Sequence, residues 1–248
     1  MPTNEEQNLA AKYDQLYRFD PFAAQVKPAQ VTGWPTDRYQ ALVYLARPGG
    51  RLLEIGCGRG EVLLALASQF EEVVGTELSS ERARHTQQQL GHLPNCRILN
   101  EPLERLEEMA HPPFDCIVWG DVIEHVVDVL EAMRTLARLS RPGTQLVTVT
   151  PNVAFLPQRL SLLLGRGPAT TSACPNEGFY AKAEDTVLFD GGHLHYFTYR
   201  QVEILYRLAG FRVEKRMGFG TRLSRLRNVW PSLLSGVVCL SGIYEGRE

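Results

Sequence analysis

The chain contains 248 residues, of which 44% are hydrophobic and 22% are charged, and its formal net charge is −2. This length suits one domain or two, and this composition excludes a disordered chain, a collagen-like fibre and a coiled coil. No run approaches the roughly 20 apolar residues of a membrane-spanning helix, and residues 1–20 match neither a secretory signal nor a transit peptide. We therefore expect a cytoplasmic protein with no integral membrane segment.

The five cysteines form no Cys-x-x-Cys pair and show no ligand-like spacing. An odd number of cysteines without such spacing is atypical of a disulfide scaffold or a structural zinc site. A reduced cysteine in an apolar run behaves as a small hydrophobic residue. The sequence therefore predicts reduced cysteines and no metal site.

The near-neutral total charge conceals an uneven distribution. Residues 1–150 contain 14 Lys and Arg against 20 Asp and Glu, whereas residues 151–248 contain 12 against 8. The basic excess lies in residues 200–227. Such a stretch is usually a solvated face, but it also permits an anionic acceptor molecule.

Short apolar runs alternate with helical patterns, which indicates an α/β fold with a mostly parallel sheet flanked by helices. A Pro142-Gly143 pair predicts a turn before the fifth strand. The predicted strands are 51–55, 72–77, 96–100, 114–120 and 145–150, and the predicted helices are 60–69, 80–91, 102–110 and 126–140.

The rhythm breaks after the fifth strand, because residues 151–190 show no clear period. An irregular excursion of this length inside a domain is often functional. A regular pattern resumes with a helix over 199–209, for which Thr198 is a candidate N-cap and Gly210 a candidate stop. A strand at 211–216 follows, and the apolar tail behind Pro231 predicts a last core strand.

The strongest local signal is a glycine-rich loop between the first strand and the next helix, with Gly56, Gly58 and Gly60 at alternate positions. Glycine lets the backbone turn sharply and approach a ligand without Cβ obstruction, and a helix N-terminus offers free N–H groups. The spacing differs from the Gly-x-Gly-x-x-Gly fingerprint of dinucleotide-binding folds. It therefore argues against NAD as the ligand.

Polar residues also follow the second, third and fourth strands. Glu77 ends the second strand, where an acidic side chain accepts hydrogen bonds from ribose hydroxyls. Asn100 and Glu101 follow the third strand, and residues 119–125 end the fourth. Open α/β sheets bind ligands at the carboxyl ends of their strands. The sequence thus predicts one ligand site at this edge of the sheet.

On these motifs the chain resembles the class I S-adenosylmethionine-dependent methyltransferases, most closely the small-molecule and glycan group that contains the ubiquinone-biosynthesis O-methyltransferases. The resemblance implies a Rossmann-like, doubly wound, seven-stranded sheet, mostly parallel with an antiparallel last strand. It also implies S-adenosyl-L-methionine as the cofactor. The cofactor-binding residues that it implies are Glu54, Gly56, Gly58 and Gly60 for the methionine end, Glu77 for the ribose, Glu101 for the adenine, and Gly120 and Asp121 for the reactive end.

The reaction that the resemblance implies is displacement of a sulfonium methyl group by a hydroxyl oxygen of a small molecule or glycan. Alignment and exclusion of water then dominate catalysis, and a general base helps when a hydroxyl loses its proton. A neutral imidazole suits this role. His125, after the fourth strand, and His195, in the segment 191–198, are the candidate bases.

Three alternatives differ in class. Asp121, Glu124, His125 and His195 resemble the cation-binding set of the small-RNA 2′-O-methyltransferases of the Hen type, which predicts metal dependence and a nucleic-acid partner. A non-catalytic cofactor-binding module is possible because a fold does not determine a function. A nicotinamide dehydrogenase is disfavoured by the glycine spacing.

The expected organisation is a helical lid segment at 1–39 and a methyltransferase domain at 40–248. Aromatic side chains before the first strand, Trp34 among them, suit a segment that folds over the cofactor and excludes water. The irregular residues 153–190 are expected to form an insertion on the acceptor side. The oligomeric state is left open.

Overall fold

The computed structural model describes Asp14 and residues 25–109, 112–166 and 193–246. Within these ranges seven strands form one sheet: β1 Gly49–Ile55, β2 Phe70–Thr76, β3 Cys96–Leu99, β4 Phe114–Gly120, β5 Ser140–Pro151, β6 Phe211–Arg216 and β7 Val237–Tyr244. The strand order is β3-β2-β1-β4-β5-β7-β6. The first five strands are parallel, and β7 runs antiparallel to both β5 and β6. The predicted α/β, Rossmann-like, doubly wound sheet with an antiparallel last strand is confirmed.

Helices cover both faces of the sheet and divide the core in two. One half packs under α5 and α7, with Met133 and Tyr206 at its centre, and the other packs under α1 and α2, with Leu42 and Leu63. The helices are α1 Arg38–Leu45, α2 Glu61–Leu66, α3 Ser80–Leu90, α4 Leu103–Leu106, α5 Val129–Arg138, α6 Leu156–Leu163, α7 Tyr199–Leu208, α8 Ser224–Arg227 and α9 Pro231–Leu234. Short 3₁₀ turns follow α2 and α4, and a third lies at Ile123–His125.

Side-chain caps set where the main helices begin. Asp37, Ser79 and Asp128 each accept a backbone N–H bond in the first turn of α1, α3 and α5. Thr198 caps α7, as the sequence predicts, and it forms a capping box with Gln201. Because Asp128 is the cap of α5, this helix begins at Val129, three residues later than the predicted boundary.

The predicted turn at Pro142-Gly143 is wrong. Strand β5 continues through these residues, and its pairing with β4 shifts from Phe114↔Ser140 to Cys116↔Gln145. The extra residues form a bulge, which accommodates proline because no ladder hydrogen bond is required there. Gly143 adopts a positive φ of 96° in this bulge.

The apolar tail forms β7, which lies between β5 and β6 near the other end of the sheet from β3. Its residues Val238, Cys239 and Leu240 are fully buried. The predicted last core strand is therefore confirmed. Across the residues that the structure describes, no helix is both long and apolar enough to cross a membrane.

Candidate active site

The candidate site lies where the parallel strands β1, β2, β3 and β4 end, which we call the carboxyl edge. The last residues of β1 and β2 pair with each other at Ile55↔Thr76, and β4 reaches the same level at Ile55↔Trp119. Every loop that leaves these strands therefore starts at one side of the sheet. The structure brings together there all the sequence-predicted cofactor residues from the loops after β1, β2 and β4.

The glycine loop requires glycine at its three positions. Gly56, Gly58 and Gly60 have φ values of 67°, 54° and 86°, in the left-handed region that side chains with a Cβ disfavour. A Cβ on Gly60 would lie 2.6 Å from Leu90 Cδ1 and 3.0 Å from Thr86 Cγ2. The loop therefore joins the end of β1 to the start of α2 by a path that only glycine accommodates.

Glu77 is buried, and its carboxylate is fixed by two backbone donors. The Gly58 N–H donates to Oε2 and the Ser79 N–H donates to Oε1, each at 3.0 Å. A carboxylate accepts about four hydrogen bonds, so each oxygen retains capacity for a ligand donor. Glu77 therefore ties the glycine loop to the start of α3 and presents a negative group to the carboxyl edge.

We expect Glu77→Ala to weaken binding of S-adenosylhomocysteine by about 1.5–3 kcal/mol, the usual contribution of a charge-assisted hydrogen bond. Isothermal calorimetry measures this directly. Glu71→Ala is the matched control, because Glu71 lies exposed near the start of β2, whereas Glu77 directly follows the end of that strand. Equal affinities for the two variants would remove Glu77 from the site.

Glu54 is buried at the end of β1, and its Oε2 has no hydrogen-bond partner among the described residues. Burial raises the pKa of this carboxyl well above its ordinary value, and the neighbouring Glu61 and Glu77 carboxylates raise it further. A buried carboxylate with a free oxygen suits a cationic ligand group. The position thus fits the amine of an amino-acid-like ligand.

The raised pKa of Glu54 has a consequence for stability. An acid whose pKa is higher in the folded state than in the unfolded chain destabilises the fold once pH exceeds the unfolded value, about 4.3. We expect the unfolding free energy of the ligand-free wild type to fall relative to that of Glu54→Gln as pH rises from 4 to 8. Urea denaturation at several pH values measures it; parallel curves would contradict the expectation.

The loop after β3 holds two of the predicted residues. Asn100 Nδ2 donates to the Glu77 carbonyl at 2.8 Å and to the Leu78 carbonyl at 3.1 Å, which fixes this loop against the end of β2. Glu101 forms an ion pair with Arg105 at 3.5 Å, and about a third of its side chain is exposed. Its contact with adenine stays a prediction.

Gly120 ends β4, and Asp121 follows it directly. A Cβ on Gly120 would lie 2.9 Å from Leu42 Cδ1, and Asp121 has a φ of 54°, which is unusual for a residue with a side chain. Asp121 Oδ2 bonds the Arg38 guanidinium, while its Oδ1 is buried without a partner in the described ranges. Burial raises the pKa of Asp121, and the Arg38 charge opposes this. Arg38 carries no sequence motif and was not predicted.

Next to Asp121, three side chains converge, which we call the histidine cluster: Glu124, His125 and His193. Their candidate ligand atoms lie within 4.8 Å of one another, and the two imidazole rings meet edge to face at 4.8 Å between centroids. Glu124 is 1% exposed and accepts from Thr150 Oγ1 at 2.8 Å. Burial raises the pKa of Glu124 to about 8, with Asp121 contributing.

His195 lies beside the histidine cluster and has a different environment. Its Nε2 is 2.9 Å from the Val126 carbonyl, so a neutral ring donates there and keeps its lone pair on Nδ1. The backbone N–H groups of Leu194 and His195 both donate to the Glu124 carbonyl. These two backbone bonds place the His193 side chain, rather than that of His195, next to Glu124 and His125. The structure therefore groups His193 with these two residues, where the Hen-type resemblance implied His195.

The sheet order, the glycine loop after β1 and the acidic residue after β2 together define a class I S-adenosylmethionine-dependent methyltransferase. The methyltransferase-domain family matches residues 30–216, three quarters of the chain, and the chain belongs to this family. Membership of the S-adenosylmethionine-dependent methyltransferases, which the sequence motifs predict, is confirmed, and the protein is an enzyme. The dehydrogenase alternative and the non-catalytic alternative are set aside.

Curated relatives include the ubiquinone biosynthesis O-methyltransferase of Xanthomonas campestris, 30% identical over 111 residues, or 44% of this chain and 46% of that protein. The Caulobacter protein of the same name is 32% identical over 46% of this chain and 49% of its own. The match therefore spans about half the length of each relative.

Solved structures show the same fold at low identity. Magnesium protoporphyrin IX methyltransferase from Synechocystis, solved with bound SAH, aligns with a TM-score of 0.57 at 12% identity, over 98% of this chain and 89% of its own. The YcgJ protein of Bacillus subtilis aligns at 0.56 and 15% identity, over 85% and 100%. These similarities establish the fold alone.

Proposed function

We propose that this methyltransferase methylates a hydroxyl oxygen of a small molecule or glycan. The observation that carries the proposal is the histidine cluster, a buried carboxylate with two partly buried imidazoles, next to Asp121 at the carboxyl edge. A hydroxyl acceptor must lose a proton during transfer, and imidazole is the side chain best suited to take it at neutral pH. The O-methyltransferases among the partial relatives support the same choice.

The carboxyl edge fits S-adenosyl-L-methionine, the methyl donor of this class. When bound, this donor supplies a methyl group on a positively charged sulfur. Glu54 and Asp121 each have one buried oxygen without a hydrogen-bond partner in the described ranges, and the Glu77 carboxylate retains acceptor capacity for ribose hydroxyls. We assign Glu54 and the glycine loop to the methionine end, Glu77 to the ribose, Glu101 to the adenine, and Gly120 with Asp121 to the reactive end.

We assign the acceptor proton to the imidazole of His125 or His195. His125 belongs to the histidine cluster, and His195 keeps a lone pair on Nδ1 because its Nε2 faces the Val126 carbonyl. The hydroxyl oxygen forms its bond to the methyl carbon as the carbon–sulfur bond breaks, and the hydroxyl proton moves to the imidazole. No change of oxidation state is involved.

Two segments are proposed to enclose the reaction. Residues 1–39 act as a lid; in support, Asp14 accepts hydrogen bonds from Ser79 Oγ at 2.6 Å and Ser80 Oγ at 2.8 Å, immediately beyond Glu77. Residues 153–190 form the acceptor side, which begins with α6, whereas residues 167–192 lie outside the described ranges. Exclusion of water favours methyl transfer.

The charges of the basic stretch bear on the acceptor, and the cysteines bear on the cellular compartment. Arg212 and Arg216 of the basic stretch form ion pairs with Glu245 and Glu203, so an anionic acceptor would depend on the remaining basic residues. Cys57, Cys96, Cys116 and Cys239 are free thiols, which suits the reducing cytoplasm.

The test is a search for the methylated atom. The full chain is incubated with S-adenosylmethionine carrying a carbon-13-labelled methyl group and a panel of phenols, sugar alcohols and acidic sugars. We expect a product heavier by one methylene group, with the carbon-13 shift of a methyl on oxygen. The Glu77→Ala variant serves as the low-affinity control. A label found only on nitrogen or carbon would contradict the proposal.

A further inference from the structure

Helices α6, α8 and α9 expose an apolar surface. None of the three helices contains a buried residue. Folded proteins rarely expose a contiguous apolar surface unless it binds a partner or a ligand. We call this surface the amphipathic face, because arginines accompany its hydrophobic side chains. The exposed hydrophobic residues of the face are Leu156, Leu160, Leu162, Leu163, Leu164, Leu223, Leu226, Val229 and Trp230.

The start of α6 lies beside α8 and α9, although these helices are far apart in the sequence. The ring centroid of Phe155, immediately before α6, lies 5.5 Å from the guanidinium carbon of Arg227 in α8. Asn152 Nδ2 donates to the carbonyls of Ser232 at 3.1 Å and Ser235 at 2.8 Å, in α9 and directly after it. The exposed side chains of the three helices therefore start from adjoining parts of the surface.

Every charged side chain of the amphipathic face is positive. Residues 153–166 and 217–236 contain no Asp or Glu, and their charged residues are Arg159, Arg166, Arg222, Arg225 and Arg227. Arg212 and Arg216 of β6 form ion pairs with Glu245 and Glu203, whereas the arginines of the face have no carboxylate partner within the described part of the chain. Guanidinium groups without a counter-ion suit an anionic ligand.

The backbone at Leu223 gives an independent indication of a ligand. Leu223 has a φ of 52°, in the left-handed region that a residue with a Cβ disfavours. The N–H groups of Leu226 and Arg227 donate to its carbonyl, so this residue begins α8. Leu223 is nevertheless 74% exposed, and burial of its own side chain does not offset the strain. Strained residues of this kind are typical of functional surfaces.

The amphipathic face adjoins the proposed acceptor side of the carboxyl edge. Thr150, whose hydroxyl donates to Glu124 of the histidine cluster, lies shortly before α6 in the chain. The Val153 N–H donates to the Phe197 carbonyl at 2.9 Å, which joins the start of the face to the histidine-bearing segment 193–198. The face therefore begins next to the residues that we propose to receive the acceptor hydroxyl.

We propose that the acceptor is an anionic amphiphile, in which a phosphate joins the hydroxyl-bearing head to a hydrocarbon chain. The exposed leucines, Val229 and Trp230 cover the chain, because removal of apolar surface from water is favourable. The arginines bind the phosphate through paired hydrogen bonds. A free sugar would leave the apolar side chains in water, and an uncharged lipid would leave the arginines without a counter-ion. This inference deepens the proposed function and rests on it for the hydroxyl that is methylated.

Binding is tested by calorimetric titration of the full chain with dodecyl phosphate, below the concentration at which this probe forms micelles. Dodecyl phosphate carries the phosphate and the chain but no hydroxyl-bearing head. Dodecyl maltoside lacks the charge, and glycerol phosphate lacks the chain. We expect dodecyl phosphate to bind at least about 10-fold more tightly than either compound, because each of them loses one of the two contributions.

Two substitutions on the amphipathic face separate the apolar contribution from the charged one. Trp230→Ser and Arg225→Gln are each expected to weaken dodecyl phosphate binding by about 5-fold or more. Both side chains are exposed, so the fold should tolerate their loss, and an unchanged affinity for S-adenosylhomocysteine checks this. Leu208→Ser on α7 and Arg84→Gln on α3 are the matched controls, because these side chains are exposed outside the face. Both controls should bind dodecyl phosphate as the wild type does.

Wild-type affinity in both face variants, no binding of dodecyl phosphate, or equally tight binding of dodecyl maltoside would each overturn the inference. A face that binds vesicles of anionic phospholipid but not monomeric dodecyl phosphate is a membrane surface, and a dimer that both face variants abolish makes it a contact between two copies of the chain. Either result would also overturn the inference. The titration contains no methyl donor. Its failure therefore leaves O-methylation standing, whereas absence of an O-methyl product leaves binding at the amphipathic face standing.

Discussion

We expect at least one of the single variants His125→Ala and His195→Ala to lower the turnover number by about 100- to 10,000-fold. This is the usual contribution of general acid–base catalysis. The affinity for S-adenosylhomocysteine should remain unchanged, because the proposed mechanism gives neither residue a contact with the methyl donor. The larger loss is expected for His125, which lies in the histidine cluster. Initial rates at saturating methyl donor measure the effect.

His92→Ala is the matched control for these variants, since it removes an exposed imidazole whose Nδ1 lies 3.0 Å from the Gln89 carbonyl. It should retain wild-type turnover. If both His125→Ala and His195→Ala also retain it, neither imidazole takes part in the reaction, and the proposed proton acceptor is wrong.

Gly60→Ala is expected to lower the free energy of unfolding by about 2–5 kcal/mol. A residue with a Cβ pays roughly 1–2 kcal/mol for left-handed φ, and forcing a methyl group against the buried Leu90 and Thr86 side chains adds about 1–3 kcal/mol. Both conditions hold at Gly60, with φ of 86° and a contact of 2.6 Å. Urea denaturation followed by circular dichroism measures the loss.

Gly143→Ala separates the two causes. Gly143 also has positive φ, 96°, but a Cβ there has no atom within 4 Å. Its substitution should therefore cost only the backbone term, about 1–2 kcal/mol. Equal losses for Gly60→Ala and Gly143→Ala would show that the contact of the glycine loop with α3 contributes nothing.

The carboxyl edge was predictable from the sequence because parallel strands bring their ends to one side of a sheet. Five short apolar runs bounded by glycine, proline and polar residues predicted β1 to β5. Their doubly wound, mostly parallel arrangement then followed from the resemblance. The Gly58 N–H bond to Glu77 Oε2, between residues 19 positions apart, is the direct outcome of that arrangement.

Features that depend on tertiary contacts were not predictable. Pro142 and Gly143 form a bulge because the pairing of β5 with β4 steps from Phe114↔Ser140 to Cys116↔Gln145. A local Pro-Gly signal does not contain this long-range condition. Arg38 reaches Asp121 from 83 positions away. Neither residue carries a pattern that indicates its partner.

The two histidines in the segment 193–198 illustrate the same limit at the site itself. Both His193 and His195 were visible in the sequence, at alternating positions. Which of them meets Glu124 depends on the Leu194 and His195 amides, which bond the Glu124 carbonyl and direct His193 into the cluster. Spacing alone gives no preference between them.

A crystal structure of the full chain with S-adenosylhomocysteine tests the central claim most directly. We expect ribose hydroxyls on the Glu77 carboxylate and the ligand sulfur next to Asp121. We also expect the imidazole of His125 or His195 within two hydrogen-bond lengths, about 6 Å, of the line along which a hydroxyl would approach. A ligand bound away from Glu77, or a sulfur from which both imidazoles are remote, would contradict it.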